Sequence, residues 1–401
     1  MQHFSTRVGI FITTVSLACL SFLPYVSQAV AAENPFNPHA CDDTVQLAPI
    51  ISTSTGAKRQ AAEPDIHPQD TPVIFIHGWI SRSTHTPERT GTFSQLIDRQ
   101  ANEHAGIMLA ASSIHDSMID RAQKVNKTAV YTFDYSHVHS RWVTHKEIGP
   151  KLARGIECLA RQYNKPVTVV GHSMGGLAVR EAATHLDSSR PVEKWMSNVV
   201  MIGTPNTGSD LAQSINRFFD SAPLRSPLAL PIRLWWDHLK KCAERKDQTN
   251  EGCYGIDALD AFRGEAGQAL RTHSKALDTL PMLPQAVHVH AMVGNIEFGG
   301  FSLFGRTSKP LISAGDVIVS TKSASAGADT VNMQTCRYGF IAGWAVKESW
   351  NRLRLLTKGK SVDRPATMFS SPCFHSYLLK EKNINDDLTN ILTRITTQGN
   401  K

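Results

Sequence analysis

The stretch TVVGHSMGGLAVRE, residues 168–181, constrains this 401-residue chain more than any other. The apolar run at 167–170 holds β-branched residues, as a buried strand does. From Met174 onward, Leu177, Ala178, Ala182 and Ala183 recur at helical spacing with no proline to interrupt them. Strand must therefore pass into helix within about two residues. A turn that tight strains its central residue and needs neighbours without side chains, which Gly171 and Gly175 supply. Such strain makes sense if Ser173 has to stand at the end of the strand with its hydroxyl ready for attack.

A serine hydroxyl is a weak nucleophile until a base takes its proton, and the base needs an acid to fix its tautomer. With a nucleophile on a strand-to-helix turn, the three arrive in the order serine, acid, histidine. The acid should sit in a loop at the carboxyl end of a late strand. Asp316 fits, because it follows Gly315 in a loop after the strand pattern AVHVHAMVG at 286–294; Asp329 and Glu297 are the nearby alternatives. For the base, His375 is the last histidine and lies in the last loop before a terminal helix. His172 adjoins the serine, but such a turn aims neighbouring side chains apart. His77 ends a strand and suits bracing a loop better than moving protons. His288 and His290 alternate along one strand and so share one face. The oxygen of a tetrahedral intermediate needs donors aimed at it in advance, each worth about 2.7–4 kcal/mol in the barrier. The amide of Met174, at the positive end of its helix, is one. The amide of Trp79, in the loop after TPVIFIHGW, is the other, and its indole either lines an acyl site or packs.

Strand and helix patterns alternate along the chain. TPVIFI, AVYTFDYS at 129–136, the elbow strand and NVVMIGTPNTGS read as strands, and KEIGPKLARGIECLARQY as a helix. Much of the segment between the first two strands has a helical pattern. The fold class this implies is α/β, with a mostly parallel sheet and helices on both faces. Residues 33–70 lack periodicity and read as an irregular N-terminal extension to a main domain at 71–401. The rhythm breaks at 211–281, where Phe218, Phe219, Leu224, Leu228, Leu230, Leu234, Trp235 and Trp236 make an insertion unusually apolar. Such an insertion either caps the site and receives an acyl chain or packs onto the domain.

The first 32 residues differ from the rest. Arg7 precedes an apolar stretch that ends in small residues at Ala29, Ala31 and Ala32, the order of a secretory signal peptide. An uncleaved anchor or a lipid on Cys19 are the alternatives, although SLAC is a poor lipidation sequence. With Cys19 removed, six cysteines remain, and an even count in an exported chain suggests disulfides. The expected pairs are Cys41 with Cys158, Cys242 with Cys253, and Cys336 with Cys373, although sequence alone does not choose among the possible pairings. No C-x-x-C pairs mark a zinc site, so no metal and no cofactor are expected. The net charge of +7 is dispersed along the chain and accompanied by no nucleic-acid motif. It is mostly solvated surface, suited to peripheral contact with anionic lipid or wall polymer and not to nucleic acid. NKT at 126–128 is a glycosylation acceptor only in a eukaryotic host.

FIHGW, GHSMGG and GTPNTGS together resemble the secreted lipase and esterase branch of the α/β-hydrolases. They look like bacterial triacylglycerol lipases and the related lecithin–cholesterol acyltransferase-like and GPI-deacylase-like hydrolases. GDVIVSTKSA is similar to that group's acid loop and CFHSYLL to its histidine loop. The likeness covers roughly 72–210 and 286–380. It implies an α/β-hydrolase fold, Ser173 as nucleophile, Asp316 as acid, His375 as base, and the Trp79 and Met174 amides as the oxyanion hole. The implied activity is hydrolysis of fatty acyl esters through an acyl-enzyme, with an acyl ester or lipid as substrate. Delivery of the acyl group to an alcohol or sugar by the same residues is the alternative. Some lipases of this group carry a structural calcium near the histidine loop, but no carboxylate pair for one is evident here.

Overall fold

A computed structural model describes residues 36–52, 60–88, 91–98, 113–210, 264–299, 310–338 and 371–398. All of them belong to one compact unit, Phe36–Lys401. The strands are β1 (Gln46–Leu47), β2 (Ile50–Ser52), β3 (Gln60–Ala62), β4 (Thr71–Ile76), β5 (Leu96–Asp98), β6 (Ser113–Ser117), β7 (Thr128–Phe133), β8 (Val167–His172), β9 (Met196–Ile202), β10 (His288–Gly299), β11 (Pro310–Ser313) and β12 (Thr330–Tyr338). The helices are α1 (Met118–Gln123), α2 (Gly149–Tyr163), α3 (Met174–His185), α4 (Val192–Trp195), α5 (Glu265–Ala269), α6 (Lys275–Asp278), α7 (Thr321–Ser325) and α8 (Lys382–Gln398). None is long and apolar enough to cross a membrane.

One sheet organises the unit, in the order β1-β7-β4-β8-β9-β10-β11, with β12 also paired to β10. Every pairing from β7 through β10 to β12 is parallel, and only β1 and β11 run against their neighbours. The strand sequences explain this. All six residues of β7 and all six of β8 are buried, as strands covered on both faces must be. Alternation then sorts their side chains into two cores. Ile74, Ile76, Val167, Val169, Val199 and Met201 face one core with α2 and α3. Val73, Phe75, Val170, Val200, Ile202 and Met292 face the other with α1 and α8. Helix α2 buries Leu152, Ala153, Ile156, Leu159, Ala160 and Tyr163, one stripe at helical spacing, and stops at Asn164 in the left-handed region.

From β4 the chain moves outward to β7, then returns across β4 to β8 and continues in the opposite direction. This reversal opens a crevice at the carboxyl ends of β4 and β8, where ligands bind in open α/β sheets.

The N-terminal extension has more structure than its composition predicts. Its β1 extends the sheet antiparallel to β7, β2 pairs with β3, and Cys41 is bonded to Cys158 in α2. Between β4 and β7 the described residues form an antiparallel β5–β6 pair and only the short α1, not a mostly helical stretch. Helix α1 owes its start to a capping box in which Ser117 and Asp120 bond each other's amides. At the far end of the insertion, Ala266, Ala269, Leu270, Leu277 and Leu280 pack into the α2–α3 core. The apolar residues 218–236, the Cys242–Cys253 pair and the leader at 1–32 lie outside the described residues.

Candidate active site

Ser173 follows the last residue of β8 and caps α3 with φ 54° and ψ −126°, a conformation that a side-chain-bearing residue seldom adopts. Its amide donates to the carbonyl of Ile202 in β9 at 2.9 Å, and its own carbonyl accepts from Gly176 at 3.1 Å. Both sides of the turn are crowded by backbone. A Cβ at Gly175 would come within 2.4 Å of the Ile76 carbonyl, and one at Gly171 within 2.7 Å of the Gly176 amide. The flanking glycines are thus required by close approach. Ser173 remains partly exposed, although His172 and Met174 on either side are buried.

Three further strand ends surround it. After β4, His77 and Gly78 press against the turn: a Cβ on Gly78 would lie 2.8 Å from that of Ser173. His77 braces this loop, as its sequence position implied. Its Nε2 accepts from the Tyr135 amide at 3.0 Å, which leaves the ring proton on Nδ1 for the Gly78 carbonyl at 2.7 Å. The ring also stacks on Tyr135, whose hydroxyl donates to the His77 carbonyl. At the end of β7, Asp134 accepts from the Ser83 amide, the Thr84 hydroxyl and the Ser136 amide. Trp79 is half-buried against the α2–α3 core, and Met174 is fully buried at the start of α3.

Asp316 and His375 meet on the other side. His375 Nδ1 and Asp316 Oδ2 are 2.7 Å apart. Asp316 is fully buried, and its Oδ1 accepts from the amides of Ile318 at 3.0 Å and Val319 at 2.7 Å. Those two bonds orient the carboxylate so that Oδ2 faces the imidazole. Gly203 and His172 both approach the pair. Gly203 follows β9 with φ 58°, and a Cβ there would lie 3.0 Å from both Asp316 Oδ2 and His375 Nδ1. His172 Nε2 donates to the His375 carbonyl at 3.3 Å, and the two rings lie 4.9 Å apart. The His375 loop is also held from behind by the disulfide between Cys373 and Cys336 of β12.

The alternative acids are engaged elsewhere. Glu297 pairs with Arg337 and Asn295, and Asp329 accepts from the Val289 amide at the edge of β10. His290 bonds Thr330, and His288 is exposed. Sequence reasoning placed His172 apart from the chemistry because it points away from Ser173. In the fold its ring instead packs against that of His375. The contacts of Gly203 with Asp316 and His375, and of Asp134 with Ser83 and Thr84, join residues distant in sequence, which no local pattern reveals. Among the described residues no group of His, Cys, Asp and Glu side chains is arranged to hold a metal ion.

Residues 142–216, spanning α2, β8, the serine turn, α3 and β9, match the family model of lecithin:cholesterol acyltransferase. No curated protein matches the chain. The mature form of the Bacillus licheniformis lipase BlEst2 aligns at 17% identity with a TM-score of 0.39, over 73% of this chain and 94% of that one. Aspergillus fumigatus lipase B aligns at 12% and 0.35, over 88% and 67%. Staphylococcus hyicus lipase aligns at 13% and 0.35, over 87% and 100%. By its own strand order, with a strained serine at the point where that order reverses, the chain has the α/β-hydrolase fold, and its segment 142–216 is similar to the lecithin:cholesterol acyltransferase family.

Proposed function

We propose that the protein is an exported serine hydrolase that cleaves carboxylic esters of fatty acyl chains. The reading is supported by one arrangement: the strained Ser173 sits at the sheet's switch point, and the ring of the adjoining His172 packs against His375 of a buried, oriented Asp316–His375 pair. In this reading His375 Nε2 takes the Ser173 proton as Oγ attacks the ester carbonyl. Asp316 holds the other ring nitrogen protonated and stabilises the imidazolium. The amides of Trp79 and Met174 receive the oxyanion, and collapse expels the alcohol with the proton from His375. Water then attacks the acyl-enzyme by the same route. The disulfides Cys41–Cys158 and Cys336–Cys373 support export, since such bonds persist in oxidising compartments. The apolar 211–281 insertion is assigned to covering the acyl chain.

Ser173→Ala should lower the turnover of p-nitrophenyl acyl esters by at least about 1,000-fold and abolish labelling by a fluorophosphonate. Its melting temperature should stay at or above that of the wild type, because the Ser173 side chain makes no capping bond to α3 that alanine would lose. Undiminished turnover in this variant overturns the assignment. An ester panel of rising acyl length, with glycerol as a competing acceptor, reads chain preference and separates hydrolysis from acyl transfer.

A further inference from the structure

We infer that His172 is a positioning residue that sets the distance between the nucleophile and the base, an inference that rests on the reading just proposed. Among the described residues three hydrogen bonds reach His375. Two come from one residue: the His375 amide donates to the Asp316 carbonyl at 3.2 Å, and its Nδ1 bonds the Asp316 carboxylate at 2.7 Å. Those bonds fix His375 relative to Asp316, and neither comes from the strand that carries Ser173. The third comes from His172 Nε2 to the His375 carbonyl at 3.3 Å. His172 is the last residue of β8 and is covalently joined to Ser173, so this bond ties the base to the strand that carries the serine.

The ring is built for that single task. It is 6% exposed, and Nε2 must carry the ring proton to donate to a carbonyl. Nδ1 is buried with no hydrogen-bond partner among the described residues, on the side where a Cβ at Gly78 would approach to 3.1 Å. Burial, followed by the neighbouring His375 and His77, holds its proton affinity well below that of a free histidine. The ring therefore stays neutral beside the base. A neutral ring can hold the His375 backbone without repelling the imidazolium that forms 4.9 Å away.

The test places a donor at different reaches along the side chain. Glutamine carries an amide N–H at about the depth of Nε2; asparagine carries one at about the depth of Nδ1; leucine fills the volume without a donor. His172→Asn and His172→Leu should lose about 10- to 100-fold in kcat with KM changed less than about twofold, the size expected when a catalytic group shifts by up to an ångström. His172→Gln should recover most of kcat. All variants that fold should still label slowly with a fluorophosphonate. Equal loss in the glutamine and asparagine variants, a loss confined to KM, or unchanged kcat in the asparagine variant overturns the inference while leaving the hydrolase reading intact. Should leucine not fold, the glutamine–asparagine contrast decides alone. A wild-type protein that neither turns over esters nor labels overturns both.

Discussion

Gly203 shows how little room the site leaves at the scale of single residues. Its φ of 58° lies in the left-handed region, and a side chain there would enter the space between Asp316 and His375. Gly203→Ala should therefore lower kcat/KM by about 100-fold. It should also cost about 1–2 kcal/mol of stability from backbone strain, read by chemical denaturation. Activity close to wild type would mean that the Asp–His contact tolerates displacement. Ser173 was legible because its glycines are a local signature of a tight turn. Chain order singled out His375 and Asp316, which the fold brings into contact, whereas the carboxylates of Glu297 and Asp329 meet other partners around β10. The sequence marks Gly203 only as the first residue of GTPNTGS; its contact with Asp316 and His375, more than a hundred residues away, appears only in the fold.

Among the elements, β4, β7, β8, β9 and α2 followed from hydrophobic period, because strands buried on both faces and a striped helix leave strong patterns. The region between β4 and β7 did not, because β5 and β6 are short and sit beside α1, and pairing between strands outweighed local helical period. Helix α8 offers a pH test. Glu381 precedes it, is almost fully buried, and accepts from the Ile384 amide at 2.8 Å. Burial, with Asp386 and Asp387 nearby, raises its pKa despite the bonds from Ile384 and Asn383. The folded state then holds this proton more tightly than the unfolded state. The contribution is most favourable below the unfolded value of about 4.3 and is lost as pH rises through the folded value. Glu381→Gln keeps an oxygen acceptor for the Ile384 amide without the charge. Its melting temperature should match the wild type near pH 4 and exceed it by a widening margin toward pH 7. A constant offset across that range would show that the carboxyl titrates alike in both states.

At the scale of the whole molecule, two disulfides among the described residues fasten points remote in sequence. Cys41–Cys158 joins the extension to α2 across 117 residues, and Cys336–Cys373 closes a span of 37. Replacing the first pair, as Cys41→Ser/Cys158→Ser, should lower stability by about 2–5 kcal/mol in urea titration. Ester turnover at 25 °C should change little, because neither cysteine approaches Ser173. A large loss of turnover at unchanged stability would link the extension to the site. Both bonds were among the pairings expected from cysteine count, but only the fold brings their partners together. The same long-range closure governs synthesis. His375 lies 202 positions beyond Ser173 (375 − 173), so at about 5–20 residues per second a ribosome finishes the elbow roughly 10–40 s before it makes the histidine. Under the proposed mechanism the nascent chain holds an unactivated alcohol for that interval, and reactivity waits on the codon for His375.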